Sequence, residues 1–295
     1  MSVEVLGYVG GGNGKVTIDG VRYKDELNVT SDIDSWSVGQ LPFSLYRGSA
    51  VLLNNEVHIL GGYQSPYNHY KWNGTVWEKV STLPYKTEYS PAVVLNGEIH
   101  LLGGLDNGTR HYKWNGTSWV SVSTLPYSFY GISAVVLNGE IHIFGGSSSL
   151  SKRNHYKWNG ASWLSVDPLP QDGYMCPAVV LNNELHVLGS DNKSHKYDHY
   201  KWNGTQWVSV STLPTAFDSC ASVVIFNGEI HVLGGGNYDA YYKWDGTAWT
   251  FVGTLPCKLD NGCAIVFKNH VFEMGGTANS KQHHVLNAKI YREVI

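Results

Sequence analysis

The sequence predicts an all-β fold in which four-stranded sheets close into a ring. Three observations predict it. Leu-Pro recurs at Leu41, Leu83, Leu125, Leu169, Leu213 and Leu255, at spacings of 42, 42, 44, 44 and 42 residues. A Trp recurs in step at Trp77, Trp119, Trp163, Trp207 and Trp249, with Tyr291 in the sixth place. Each period also carries two short turns, mostly Asn-Gly, between runs of β-forming residues. In 83–124, SPAVVL and EIHLLG flank Asn96-Gly97, and HYKW and SWVSV flank Asn115-Gly116. Asn-Gly between such runs signals a hairpin whose central residues both take φ > 0. A four-stranded unit of about 40–50 residues is the size of a propeller blade, and cannot bury both faces without neighbours of its own kind.

Composition agrees. The chain of 295 residues has 33 Gly, 11 Trp and 19 Tyr and only 15% charged residues, as expected when tight turns join stacked sheets. A formal net charge of −3 leaves no basic footprint for nucleic acid. The opening MSVEVLGYVG lacks the basic start and long apolar run of a secretory leader. No apolar run of about 18 residues is present, so no membrane insertion is expected. Four cysteines are no disulfide framework. A reducing compartment or a virion is the expected location.

In chain order, VEVLGYV, GGGNG and KVTIDG suggest a hairpin with a Gly-rich tip. GGGNG is a weak phosphate loop, because neither Lys-Ser/Thr nor a helix follows it. Trp36 in IDSWSVGQLP lies one period before Trp77, which favours a degenerate seventh blade over 1–40. The alternative is six blades with an N-terminal strand or appendage. The remaining units are 41–82, 83–124, 125–168, 169–212, 213–254 and 255–295, all in one domain. The last departs most: Phe272 replaces the second-strand His, and HHVLNAKIYREVI replaces the double-Trp hairpin.

An inner strand, a hydrophobic strand ending in Gly-Gly, an aromatic strand and a Trp before Leu-Pro together resemble the kelch repeat. Gly61-Gly62, Gly103-Gly104, Gly145-Gly146, Gly234-Gly235 and Gly275-Gly276 fit, and Gly189-Ser190 breaks the pair. His stands where the family usually has Tyr in EIHVLGG. The resemblance implies a kelch-type β-propeller but no single activity, since the family includes protein-binding domains, sugar oxidases and a sialic-acid epimerase.

Strand parity locates the variable segments. In an up-and-down blade the first–second and third–fourth turns share one end of the ring. The second–third loops and the inter-blade links share the other, and these are the segments that differ between units. Diversity on one face of a rigid scaffold is how recognition surfaces are built. The candidate contact residues there are Tyr46, Arg47, Tyr85, Tyr89, Tyr127, Phe129, Tyr130, Tyr174 and Phe217 from the links. Tyr63, Tyr67, Arg110, His195 and Tyr238 come from the second–third loops and their ends. Tyr and Arg suit binding because they join apolar area to hydrogen bonding, and flat rings also stack on sugars. The competing expectation is that many link aromatics pack between blades.

His58, His100, His142, His186 and His231 hold one equivalent position, and His69, His111, His155 and His199 another. Spread around a ring, they suit a scaffold role better than a metal site, whose ligands converge. Glu56, Glu98, Glu140, Glu184 and Glu229 also belong to the frame, whereas Glu88, Asp106, Asp172, Asp191, Asp218, Asp239 and Asp260 are expected as solvated loop charge. Arg47, Arg110 and Arg153 could clamp an acidic sugar, but two of them stand away from the axis. The Tyr/Tyr/His/His set of a copper oxidase has no local signature. Cys176, Cys220 and Cys263 read as buried thiols. Asn-Gly-Thr at Asn73, Asn115 and Asn203 matches glycosylation acceptors, yet turn chemistry explains it.

These observations favour a non-catalytic binding module for a protein or cell-surface glycan, with no cofactor or metal. The alternatives are a sugar-processing enzyme at the axial mouth and a structural or assembly component attached through 1–40. Near-identical frames with divergent loops point to a bacterial or phage-encoded recognition protein.

Overall fold

The computed structural model describes residues 16–18, 21–23, 33–106, 108–128, 130–146, 152–189, 197–216, 221–235, 239–276 and 281–288. Strands β1 (Val16–Ile18) and β2 (Val21–Tyr23) form a hairpin, and β3 is Ile33–Gln40. GGGNG lies outside the described residues. Six four-stranded antiparallel sheets follow. Blade 1 is Ser49–Leu53, Glu56–Leu60, Asn68–Trp72 and Trp77–Thr82, running from the axis outwards. Blades 2 to 5 repeat this order. The inner strands are neighbours around the circle, that of blade 6 meeting that of blade 1, so the fold is a closed six-bladed β-propeller.

Among the described residues the favoured seventh blade does not form. Blade 6 takes three strands from the chain's end, Gly262–Phe267, His270–Gly275 and Gln282–Ala288. Its fourth strand is β3, paired from Gln282↔Gln40 to Ala288↔Ile33. In this register Trp36 faces Leu286, the place that Trp119 holds opposite Trp114 in blade 2. The period that reached back to Trp36 was therefore real. It marks the outer strand of the last blade, supplied by the chain's beginning.

Burial explains the sequence pattern. Second strands such as Glu98–Leu102 are buried on both faces after their first residue, which is why they read as continuous apolar runs rather than alternating ones. Cores lie between blades: Val51 and Leu53 of blade 1 pack with Leu83, Ile99, Leu101 and Trp114 of blade 2. The Leu of Leu-Pro is buried at each junction. Frame carboxylates hold frame lysines across the second and third strands, as in Lys71–Glu56 at 3.0 Å and Lys113–Glu98 at 2.8 Å.

The two Asn-Gly turns differ. Asn96 and Gly97 both have positive φ (52° and 76°), as expected. At Asn73-Gly74 only the Gly does. There the Asn73 carboxamide oxygen accepts from the Thr75 N–H (2.9 Å), the Thr75 hydroxyl (2.7 Å) and the Val76 N–H (3.2 Å). Asp245 does the same work in blade 5, and the three donors hold its carboxyl down at about 2. This side-chain-closed turn accounts for Asn-Gly-Thr at Asn73, Asn115 and Asn203.

Candidate functional site

The links and second–third loops do share one face, because they hydrogen-bond each other. Leu83 N–H donates to Tyr67 O, Thr87 N–H to Pro66 O and Leu125 N–H to Thr109 O. The Gly-Gly pairs make this seam possible. Gly62 N–H reaches Thr87 O of the next link at 2.9 Å. At Gly61 (φ 61°) a Cβ would fall 1.7 Å from the Thr87 hydroxyl, so a side chain is barred by both conformation and space.

At the centre of this face the links surround a cavity of about 250 Å³ on the axis. All six blades line it. Among the described residues, the sixth residue after the Leu-Pro leucine sits on its rim: Arg47, Tyr89, Gly131, Met175 and Asn261. Every one is in the left-handed region, with φ of 61°, 57°, 64°, 52° and 59°. Their backbones are stitched together across blades: Arg47 N–H donates to Asn261 O, Tyr89 N–H to Arg47 O and Met175 N–H to Gly131 O, at 2.8–3.0 Å. The link geometry needs this conformation, and Gly131 supplies it at no steric cost. Arg, Tyr, Met and Asn adopt it against their intrinsic preference, by roughly 1–2 kcal/mol per residue. The side chains at this rim position differ from blade to blade. Below, a second axial cavity of about 390 Å³ is walled by inner-strand Val and Ile.

The fold is similar to that of YjhT. The chain superposes on the solved structure of YjhT with a TM-score of 0.72, covering 84% of this chain and 95% of that one, at 14% identity. That likeness speaks for the fold alone. No family model and no curated protein matches the chain.

The expected contact residues divide into three groups. Arg47, Tyr46, Tyr63 and Tyr89 come together. The guanidinium lies 4.7 Å from the Tyr46 and Tyr89 ring centres and 5.7 Å from that of Tyr63, and donates to Glu88 at 2.7 Å. Burial works against the charge of Arg47, but the Glu88 hydrogen bond and the two nearer rings outweigh it and raise its pKa. Tyr63, Tyr67 and Tyr127 are exposed, at 52%, 49% and 46%. Tyr130 and Tyr174 meet edge-on across blades 3 and 4, centres 6.1 Å apart, both half-buried.

Tyr85 corrects the expectation. It is buried (3% exposed), packs on Tyr112 and lies under Arg110, so it belongs to the core between blades 1 and 2. Phe43, the same link position in blade 1, is buried as well. Glu88 is likewise no solvated loop charge, being buried and ion-paired. Arg110 and Arg153 do not line the mouth; Arg153 Nε donates to Leu169 O at 2.7 Å. Phe129, His195, Phe217 and Tyr238 lie outside the described residues.

The ring of histidines is a relay within the frame. His58 Nδ1 and His69 Nε2 are 2.8 Å apart, and His69 Nδ1 meets the Ser81 hydroxyl at 2.9 Å. Trp119 of blade 2 donates its indole N–H to the same hydroxyl at 3.1 Å. His100–His111–Ser123–Trp163 and His186–His199–Ser211–Trp249 repeat the arrangement. Burial drives the second-strand members down to about 4 and the third-strand members to about 3, so all are neutral at pH 7.

Met175, Gly131 and Asn261 are rim residues that reasoning from residue type passed over. Their constant offset from Leu-Pro was readable, but not that this offset faces the axis.

Proposed function

We propose that the protein is a non-catalytic, kelch-type recognition module whose loop face binds a glycan or a protein segment, with one sugar ring or side chain entering the axial mouth. The observation that carries this reading is the rim itself. Residues equivalent by repeat, and alike in backbone conformation, carry unlike side chains there, most of them strained. A cavity of about 250 Å³ falls just below the usual range for ligand pockets, about 300–1,000 Å³. It therefore suits one ring rather than an extended chain. Exposed Tyr63, Tyr67 and Tyr127 lie on the same face and offer platforms for stacking. Among the described residues, Arg47 is the one charged side chain lining the cavity, which supports binding over paired-carboxylate chemistry.

The test is a glycan array and a peptide array probed with three proteins: wild type, Tyr63→Ala/Tyr67→Ala/Tyr127→Ala, and Tyr89→Gly/Asn261→Gly. The second variant copies blade 3, where Gly131 holds the rim position, so it strips side chains while relieving backbone strain. Binding lost in both variants with melting temperature kept supports the reading. Binding retained in both removes the face from consideration, and turnover of a bound sugar refutes the non-catalytic part.

A further inference from the structure

Blade 6 departs from the repeat at three positions that face one another. In blades 1 to 3 a link aromatic (Phe43, Tyr85, Tyr127) lies on a third-strand Tyr (Tyr70, Tyr112, Tyr156), with centres 5.6, 5.7 and 6.0 Å apart. Each Tyr is paired with a buried aliphatic residue of the second strand, Ile59, Leu101 or Ile143. Blades 4 and 5 keep the Tyr and the aliphatic residue. In blade 6 the equivalents are Cys257, His284 and Glu273, with Glu273 paired to His284. An apolar triangle has become a thiol, an imidazole and a carboxylate, all at once and in one blade.

The donor atoms of the three residues all lie within 4.8 Å of one another. Glu273 is 1% exposed and His284 3%. One carboxylate oxygen of Glu273 meets His284 Nδ1 at 2.6 Å, and the other is buried without a partner. A carboxylate in place of an aliphatic residue at a fully buried site is costly unless both oxygens are satisfied. We propose that Cys257, Glu273 and His284 bind a divalent transition-metal ion, of which Zn²⁺ fits best, leaving a fourth position open. Thiolate and imidazole donors select against Mg²⁺ and Ca²⁺, which take oxygen ligands. Tetrahedral zinc with these donors needs ligand separations of about 3.3–3.8 Å. Glu273 and His284, 2.6 Å apart, reach that by parting by less than about an ångström.

A nucleophile–base–carboxylate relay is the other use of these residue types. It places sulfur and carboxylate on opposite ring nitrogens, roughly 6 Å or more apart. The compact triangle here does not have that shape. None of the three residues lines the axial mouth, so the site is separate from that cavity. Its ligands come from a link and from two adjacent strands, one of which, Gln282–Ala288, is paired to β3. Metal would thus fasten the blade through which the ring closes.

The experiment adds Co²⁺, and separately Zn²⁺, to full-length protein stripped with a chelator. The expected result is one Co²⁺ per chain with a sulfur-to-cobalt charge-transfer band, and a melting temperature raised by Zn²⁺. Cys257→Ser should abolish the band, and Glu273→Gln should weaken binding at least tenfold. Cys257→Phe/Glu273→Ile/His284→Tyr rebuilds the blade 1 triangle; it should fold and show no response to metal. Folded wild type without the band and without a Zn²⁺ shift would overturn the assignment. So would a band that survives in Cys257→Ser or in the rebuilt variant.

Discussion

The buried histidines make acid stability the most quantitative consequence of this structure. Nine of them, His58, His69, His100, His111, His142, His155, His186, His199 and His231, are held down at about 3 to 4 by burial. The unfolded chain protonates each near pH 6.5. Between those values the unfolded state binds more protons, so stability is complete above about pH 7 and falls as the pH drops. The loss per histidine is about 0.8 kcal/mol at pH 6.0 and about 1.4 kcal/mol at pH 5.5, set by the unfolded chain because the folded values lie lower still. Nine together lose about 7 kcal/mol between pH 7.5 and 6.0, against a typical domain stability of about 5–15 kcal/mol. Urea unfolding followed by Trp fluorescence at pH 7.5, 6.5 and 6.0 measures this directly. Carboxylates of the unfolded chain titrate near pH 4, below the window, while burial raises Asp260 and Glu273 in the fold and so works against the drop. Blade 5 already pairs His231 with the Tyr241 hydroxyl, which suggests the control. His69→Tyr, His111→Tyr, His155→Tyr and His199→Tyr together leave five of these nine, and their share of the drop should shrink to about 4 kcal/mol. A stability that changes by less than about 1 kcal/mol across this range, or a variant with an undiminished slope, would refute the linkage argument.

Two further outcomes follow from the fold. Removing residues 1–40 strips the outer strand from blade 6 and exposes the edge of Gln282–Ala288. The truncated chain should lose cooperative melting and self-associate on size-exclusion chromatography, whereas an unchanged monomer would mean that β3 does not close the ring. Tyr85→Ala should cost about 3 kcal/mol in urea unfolding as a core truncation; a cost below about 1 kcal/mol with loss of ligand binding would return Tyr85 to the contact face.

The repeat made most of the architecture legible without coordinates. Leu-Pro, the hairpin Trp and the Asn-Gly turns are local signals, since each states a backbone conformation or a burial preference within a few residues of itself. From them came the sheets, their strand order and the side of the ring that carries the loops. Other features depended on distant parts of the chain meeting. Whether Trp36 began a seventh blade or finished the sixth turned on pairing between residues some 250 positions apart, which no local period can report. The same holds for Tyr85 and Tyr127, which share a place in the repeat. Tyr85 disappears beneath Arg110, and Tyr127 stays 46% exposed. Position in the repeat determined which face a side chain joined. Its depth, its charge partner and its neighbours across the blade junction were decided only when the ring closed, because burial belongs to the packed surfaces and not to either strand alone.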